Sequence, residues 1–574
     1  MTSLTSEYIG GLSGAEGQAA FRNLMVISTI GNRGSPRQCR RATVICGSKQ
    51  SRARMDTGSG RFNAQQDALG RVTVTGVGIV ADAAWDQSTA LRPDPPAPTE
   101  VTLVSRNIYF NAPYYNGQLQ STTLIPGGED PDRVTKFTYD WRGRVVKTTR
   151  PDGALVVDDY DAFGRVVKET LTAPDPAHLG FTNAAYIIWS QTVYKYDSRG
   201  QLMESDVVSP DDLNPKGSTP GKSTEQAAKM VTKYAYDGRG DAIRTDSPGN
   251  VYQSAHYNGL GQVTEQYTGR RAMVGADDRW LERTTTTATY SAAGPTTVAR
   301  TTLRSTDPSL PDRTTWVKGE YDWQGRLIRT TDYGTVNPYE TPAPSDPAPI
   351  VTRHEYDDAG FTRTDIDPRE IKTQYTLDAL GRTVKIVEAL QGNGTPGNNS
   401  NRTTTYKYFG TIGILEEAHM VPGGDPTVTT YTYAARPKEN SVASTNDLVS
   451  KIEIQGGSSS GDLDVQTLGY NALGETRRTW HNTIVHELTH DSLGRLVGDH
   501  ASVDGATPRN IDTTVDTLTY HYNPLNLLTA AETGGGQMWF STLRRTYNGW
   551  GQLKTETSED RDLCRCRRCR ARSR

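Results

Sequence analysis

The chain has 574 residues, 34% of them apolar, with 55 Gly, 30 Pro and 28 Tyr against 9 Phe. This is too long for one ordinary core, and its aromatic side chains mostly end in a hydroxyl, which favours β-structure with a wet face over a packed helical domain. The 63 basic and 66 acidic residues leave a net charge of −3, so no global field gathers nucleic acid or anionic lipid and no nucleic-acid partner is expected.

In chain order, residues 1–100 come first and are atypical. The start, MTSLTSEYIGGLSGAEGQAAF, lacks a positive beginning, an apolar core and a small-residue cleavage site, so no secretory signal is read. The stretch GNRGSPRQCRRATVICGSKQSRARMD, residues 31–56, carries neither a repeat nor an amphipathic pattern. Residues 1–100 are therefore expected to be poorly ordered or translated out of frame, with 101–136 an entry segment leading into a repetitive region. No run of 18 apolar residues occurs anywhere, so no membrane span is expected. The five cysteines, Cys39, Cys46, Cys564, Cys566 and Cys569, lie near the two ends, so disulfides do not hold the body together.

From residue 137 to 557 a short phrase recurs. It reads YDWRG at Tyr139, YDAFG at Tyr160, YDSRG at Tyr196, YDGRG at Tyr236, YNGLG at Tyr257, YDWQG at Tyr321, YDDAG at Tyr356, YNALG at Tyr470 and YNGWG at Tyr547. Looser copies start at Tyr290, Leu377, His490 and Tyr522. Asp or Asn in second place starts a turn through its side chain. Gly in fifth place, replaced once by Asn526, marks a backbone position with φ above zero. The residues after each turn, such as RVVKTTRP, RVVKETL and RLIRTTD, alternate between apolar and polar with many β-branched types, as strands do. Several copies lie 20 or 21 residues apart, so each unit is strand, turn, strand, turn, and the units must stack into one sheet to bury a face.

With these phrases and this spacing the chain resembles the YD repeats of Rhs and cell-wall-associated bacterial proteins and of the related teneurin ectodomains, over about three quarters of its length. The resemblance implies an all-β fold, a long spiralling antiparallel β-sheet of hairpins forming part of a hollow shell. It implies an extracellular or cell-surface location. In bacterial members the shell encloses a C-terminal toxin, and its end carries a plug with a self-cleaving aspartate site. No plug-like D-P-x-G-L sequence or toxin follows Tyr547 in this chain. A β-propeller, the alternative repeat fold, needs a step of about 40 residues and G-H to W-D signatures that do not match.

Between the phrases, residues 209–222, 337–349, 391–401 and 455–461 are rich in Pro, Gly and Ser and read as flexible excursions from hairpin tips. Residues 224–230 and 272–283 are expected to form a helical turn or two. The tail 558–574, ending CRCRRCRARSR, reads as disordered; its three thiols lack a fourth ligand, so no metal site is assigned to it. This abrupt change of composition is what a truncated or frame-shifted reading of a longer gene would give.

One enzyme signature needs its own test. His486-Glu487-Leu488-Thr489-His490 spells H-E-x-x-H, which binds zinc when two histidines share a helix face and the glutamate activates water. Aligned with its sister units, however, the stretch is the strand entering the turn at His490. Four strand residues span about 13 Å, too far for one zinc, and Glu487 would face the other way. Three functions remain in view: a non-catalytic YD-repeat scaffold for encapsulation, presentation or adhesion, with a C-terminal toxin as its enclosed partner; a binding module for cell-surface glycan; and, remotely, a zinc protease through His486, Glu487 and His490. The first is expected, with no catalytic residue, no cofactor and no metal.

Overall fold

The computed structural model describes residues 42–44, 51–53, 61–79, 100–111, 117–175, 186–216, 219–274, 277–290, 296–304, 311–357, 359, 362–390, 400–409, 413–435, 441–442, 445–456, 463–481, 483–504, 515–535 and 538–560. All belong to the unit Ala42–Arg574. The cysteines, the loop 391–399 and the tail beyond 560 lie outside them.

Strands are numbered β1 (Ala42–Val44) to β36 (Leu553–Asp560) in chain order. The strands β1 and β2 (Ser51–Ala53) form a small hairpin of their own. From β3 (Arg61–Gln66) to β36, every strand pairs antiparallel with the next, giving one sheet of 34 strands. No pairing joins β36 back to β3 among the described residues, so the sheet is open. The fold expected from the sequence, a long antiparallel sheet of hairpins, is the one observed.

The sheet starts earlier than the YD phrases do. Strand β3 turns into β4 (Val72–Ile79) through Asp67–Arg71, and pairing continues through β5 (Glu100–Tyr109), β6 (Leu119–Leu124) and β7 (Arg133–Tyr139) without a break. The boundaries placed at residues 100 and 136 are therefore not edges of the sheet. Residues 67–71 read DALGR, a phrase hidden by Gln66 in the place of tyrosine. Helix plays almost no part. The one short helix among the described residues, α1 (Pro210–Leu213), lies in the loop 209–222. Residues 224–227 make the single expected turn, with Ala227 N–H donating to Ser223 O at 3.0 Å. The helical expectation for 272–283 was wrong: its described residues belong to the strands ending at Val274 and starting at Asp277. Cross-strand pairing overrode a sequence of good helix formers.

Because turns alternate between the two edges of an antiparallel sheet, all the YD turns share one edge, termed the YD edge; the other turns form the far edge. At the YD edge every described fifth residue has φ above zero, from Gly261 and Gly551 at 77° to Gly240 at 98°, with Asn526 at 63°. Each turn is built alike. In the first, Asp140 N–H donates to Arg144 O at 2.9 Å and Gly143 N–H to Asp140 O at 3.0 Å. Asp140 Oδ1 accepts the N–H groups of Arg142 and Arg144, and Oδ2 accepts Arg144 Nε at 2.7 Å. The left-handed residue then shifts the register at the strand end, the geometry of a turn with a glycine bulge. The far edge borrows the same turn twice, at 150–154 and at 367–371, where Glu370 takes φ 62°.

The phrase also ties each hairpin to the next. The guanidinium of Arg144 stacks 4.4 Å from the ring centre of Tyr160, whose hydroxyl donates to Val145 O at 2.7 Å. The pattern repeats with Arg71, Tyr109 and Val72 O, with Arg165, Tyr196 and Val166 O, with Arg326, Tyr356 and Leu327 O, and with Arg382, Tyr408 and Thr383 O. The tyrosine is therefore kept for its length and its polar tip. It spans two strands and lands on the backbone carbonyl next to the preceding arginine, while its ring carries that arginine.

The described core is thin. Thirteen apolar residues are buried, and the buried clusters hold three residues each: Val77, Val104 and Ala472; and Ala154, Leu171 and Ala173. Both clusters gather late and early parts of the chain, Ala472 with Val77 and Val104, and Leu525 against Ala154. The single-layer sheet is thus wound on itself so that distant hairpins meet.

Candidate functional site

The winding creates a seam where far-edge turns of early strands meet YD turns of late ones. Its partners lie 338 to 374 residues apart. The loop 125–132, between β6 and β7, crosses onto β29 (Leu463–Tyr470), β30 (Thr476–His481) and β31 (Ile484–His490). Pro126 O accepts Ala472 N–H at 2.6 Å. Further along, Arg150 Nη1 donates to Pro524 O at 3.0 Å, and Gly549 N–H to Asp211 Oδ2 at 3.2 Å.

The densest chemistry in the seam surrounds Asp130. Its Oδ1 accepts His490 N–H at 2.8 Å; its Oδ2 accepts Asn471 Nδ2 at 2.9 Å and lies 3.3 Å from His490 Nδ1. Asn471 Nδ2 also donates to Glu475 Oε2 at 2.7 Å, and both Glu475 oxygens receive the two Nη groups of Arg133, one at 2.7 Å. Asn471 is completely buried, and Asp130 and Arg133 nearly so. Burial pushes the nearby Tyr470 hydroxyl up to about 12, with the Tyr433 side chain adding a smaller push. It stays a neutral donor, to Val449 O at 2.6 Å.

Asp130, Glu475 and His490 also offer ligand atoms that lie within 4.8 Å of one another. The donor set does not fit an ion well. Glu475 is already held on both oxygens by Arg133, so a cation would have to displace a buried guanidinium and leave it unpaired. The cluster reads as a buried polar latch that fixes one winding of the sheet.

The H-E-x-x-H stretch lies beside this latch. Its backbone is the strand β31, paired with β30 and with β32 (Leu496–Val503). His486 and His490 serve separate partners: His486 Nδ1 is 2.8 Å from Asp499 Oδ1, while His490 binds Asp130. Glu487 is exposed on the opposite face. The three residues are not brought together, as the strand reading anticipated. Glu487, Leu488 and Thr489 instead line a cavity of about 650 Å³ with Arg477, Arg478 and Asp499. It mixes both signs of charge.

The sequence alone missed the seam residues. Asp130 and Arg133 lie in a stretch read only as a lead-in, and their partners are more than 340 residues away. One signal was present: Glu475 stands after the glycine of YNALG, where several phrases carry Arg.

No protein-family model matches the chain, and neither does any curated protein. Among solved structures, similarity is found to TcdB2-TccC3 without its hypervariable C-terminal region, at 13% identity over 89% of this chain and 36% of that one, with a TM-score of 0.26. The Tc holotoxin pore of Photorhabdus luminescens matches at 13% identity over 90% of this chain and 36% of that one, TM-score 0.19. A porin-like protein from Bacteroides uniformis matches at 13% identity over 53% of this chain and 92% of that one, TM-score 0.14. The chain thus spans about a third of the length of the Tc chains it matches.

Proposed function

We propose that the chain is a non-catalytic scaffold, a YD-repeat segment of a large surface-associated or secreted bacterial protein of Rhs type, whose wound sheet encloses or presents a cargo. The observation that carries this reading is the seam. A single-layer sheet wound back on itself and held by a buried latch would bound a space without filling it, and the side chains are spent on joining hairpins. The H-E-x-x-H residues serve the same end, with His490 holding the latch. The enclosed partner would be a C-terminal toxin.

Small-angle scattering and metal analysis test the reading together. A wound shell gives the curve of a hollow particle and a radius of gyration above the roughly 25 Å of a compact chain of this length. A solid-globule curve, or stoichiometric zinc that disappears in His486→Ala, would overturn it.

A further inference from the structure

The seam uses only part of each edge, and what is left over is complementary. On the YD edge, the large apolar tip residues of the late turns are covered: Leu473 and Leu525 pack against the buried clusters, and Leu493 and Trp550 are half-buried. The large apolar residues in the third or fourth place of the earlier turns stand in solvent. Leu69, Trp141, Phe163, Leu260, Trp323 and Leu380 are 66–86% exposed. A row of large apolar side chains held at turn tips along one edge is the mark of an interface. Arginines share this row, at Arg142, Arg199 and Arg239.

On the far edge, the docking loop itself occurs twice. Residues 125–131 read I-P-G-G-E-D-P, and 421–426, between β26 (Gly413–Met420) and β27 (Thr427–Ala435), read V-P-G-G-D-P. In the first copy Pro126 and Asp130 are buried by the YD turns of Asn471 and His490. In the second, Val421 and Asp425 are exposed, and among the described residues no YD turn lies against them. The copy departs in three respects: it lacks a counterpart of Glu129, Thr427 follows where Asp132 and Arg133 stand, and only its first glycine, Gly423, has φ above zero where Gly127 and Gly128 both do. Asp425 is opposite in sign to the arginines of the YD edge, as are Glu340 and Asp346 in the far-edge loop between Gly334 and Ile350.

We propose that two copies of this chain associate head to tail, the far-edge loop 421–426 of one copy seating on the exposed YD edge of the next, as loop 125–132 seats on the late YD turns within one chain. The partner is a second copy because both halves of the contact are present on one molecule and continue a seam it already makes. Such a contact is heterologous, so association grows with concentration beyond a dimer, into stacks or rings.

Two full-length variants, altered only at exposed positions, test this by sedimentation velocity under reducing conditions. Leu260→Glu with Trp323→Glu blocks the YD edge; Val421→Glu with Asp425→Lys blocks the far edge. Wild type is expected to show species larger than a dimer that increase over tenfold in concentration, and each variant alone to be monomeric with an unchanged strand signature in circular dichroism. Mixed in equal amounts, the variants are expected to form a one-to-one pair that grows no further. A wild type that stays monomeric, a variant that still stacks alone, or a mixture that fails to pair would each overturn the proposal.

Discussion

The same YD turn occurs in two surroundings. At Tyr139, Tyr257 or Tyr321 its tip is bathed in water; at Tyr470, His490 and Tyr522 it is clamped under an early loop. Hydrogen bonds inside the turn are the same in both places: Asp491 Oδ1 accepts Leu493 and Arg495 N–H groups as Asp140 accepts those of Arg142 and Arg144. The turn is thus a self-contained part, set by local bonds. What differs is the outward face, which has been altered at Glu475 and His490 to grip another strand run.

The sharpest separation of the two surroundings should come from their arginines. Removing Arg133, 7% exposed, leaves Glu475 without its cationic partner, and Arg133→Ala should cost about 3 kcal/mol. Arg144→Ala, at the water-exposed edge and paired to Asp140 across a more open turn, should cost about 1 kcal/mol. Urea midpoints of the two variants check this, and equal losses would mean that the seam contributes nothing beyond the turn.

Glycine offers the next contrast. Gly494 and Gly325 have nearly the same φ, 83° and 79°, so alanine should strain either by about 1 kcal/mol. At Gly325 a methyl group meets open space, whereas at Gly494 it would lie 2.5 Å from Arg133 Nη1 and 3.0 Å from Glu475 Oε1. Arg133 is pinned by Glu475 and cannot swing away, so Gly494→Ala should lose about a further 1–2 kcal/mol through overpacking. Thermal midpoints of the pair measure the difference directly.

A smaller effect is expected at the tips. Leu525→Ala uncovers the cluster of Ala154, Leu171 and Ala173 and should lose about 2 kcal/mol. Leu260→Ala, at 85% exposure, should change the monomer's stability by less than about 0.5 kcal/mol.

The least local contribution is that of acid. Desolvation raises the carboxyls of Asp140, Asp161 and Asp322, but the backbone N–H and guanidinium donors of Arg144, Arg165 and Arg326 prevail and hold them below the ordinary value of 3.8. A depressed carboxyl stabilises the fold fully above its unfolded value and loses that contribution as pH falls through the folded one. Urea midpoints should therefore hold above about pH 4 and decline below it, and Asp322→Asn should flatten the decline.

How much of this was legible depends on range. The tight turn, the left-handed fifth position and the strand character of H-E-x-x-H depend on neighbours within six residues, and all were readable; the bulge was not. The YD turn at Asp67–Arg71 was not recognised, with Gln66 in the place of tyrosine, although its DALGR repeats Asp378–Arg382 and Asp67 and Arg71 make the same bonds. The latch was not readable, because which loop meets which turn depends on twist accumulated over about two dozen strands. The far-edge turn at Glu370 escaped because a non-glycine occupies a left-handed position.

The tyrosine and arginine ties between hairpins have a mechanical consequence. Each joins only adjacent units, so a pull applied across the sheet loads them one after another, like stitches in a hem. A unit of 21 residues released in this way frees about 70 Å of chain. A single-molecule extension trace should show a high first peak where the latch of Asp130 and Arg133 tears, followed by a regular run of lower ones.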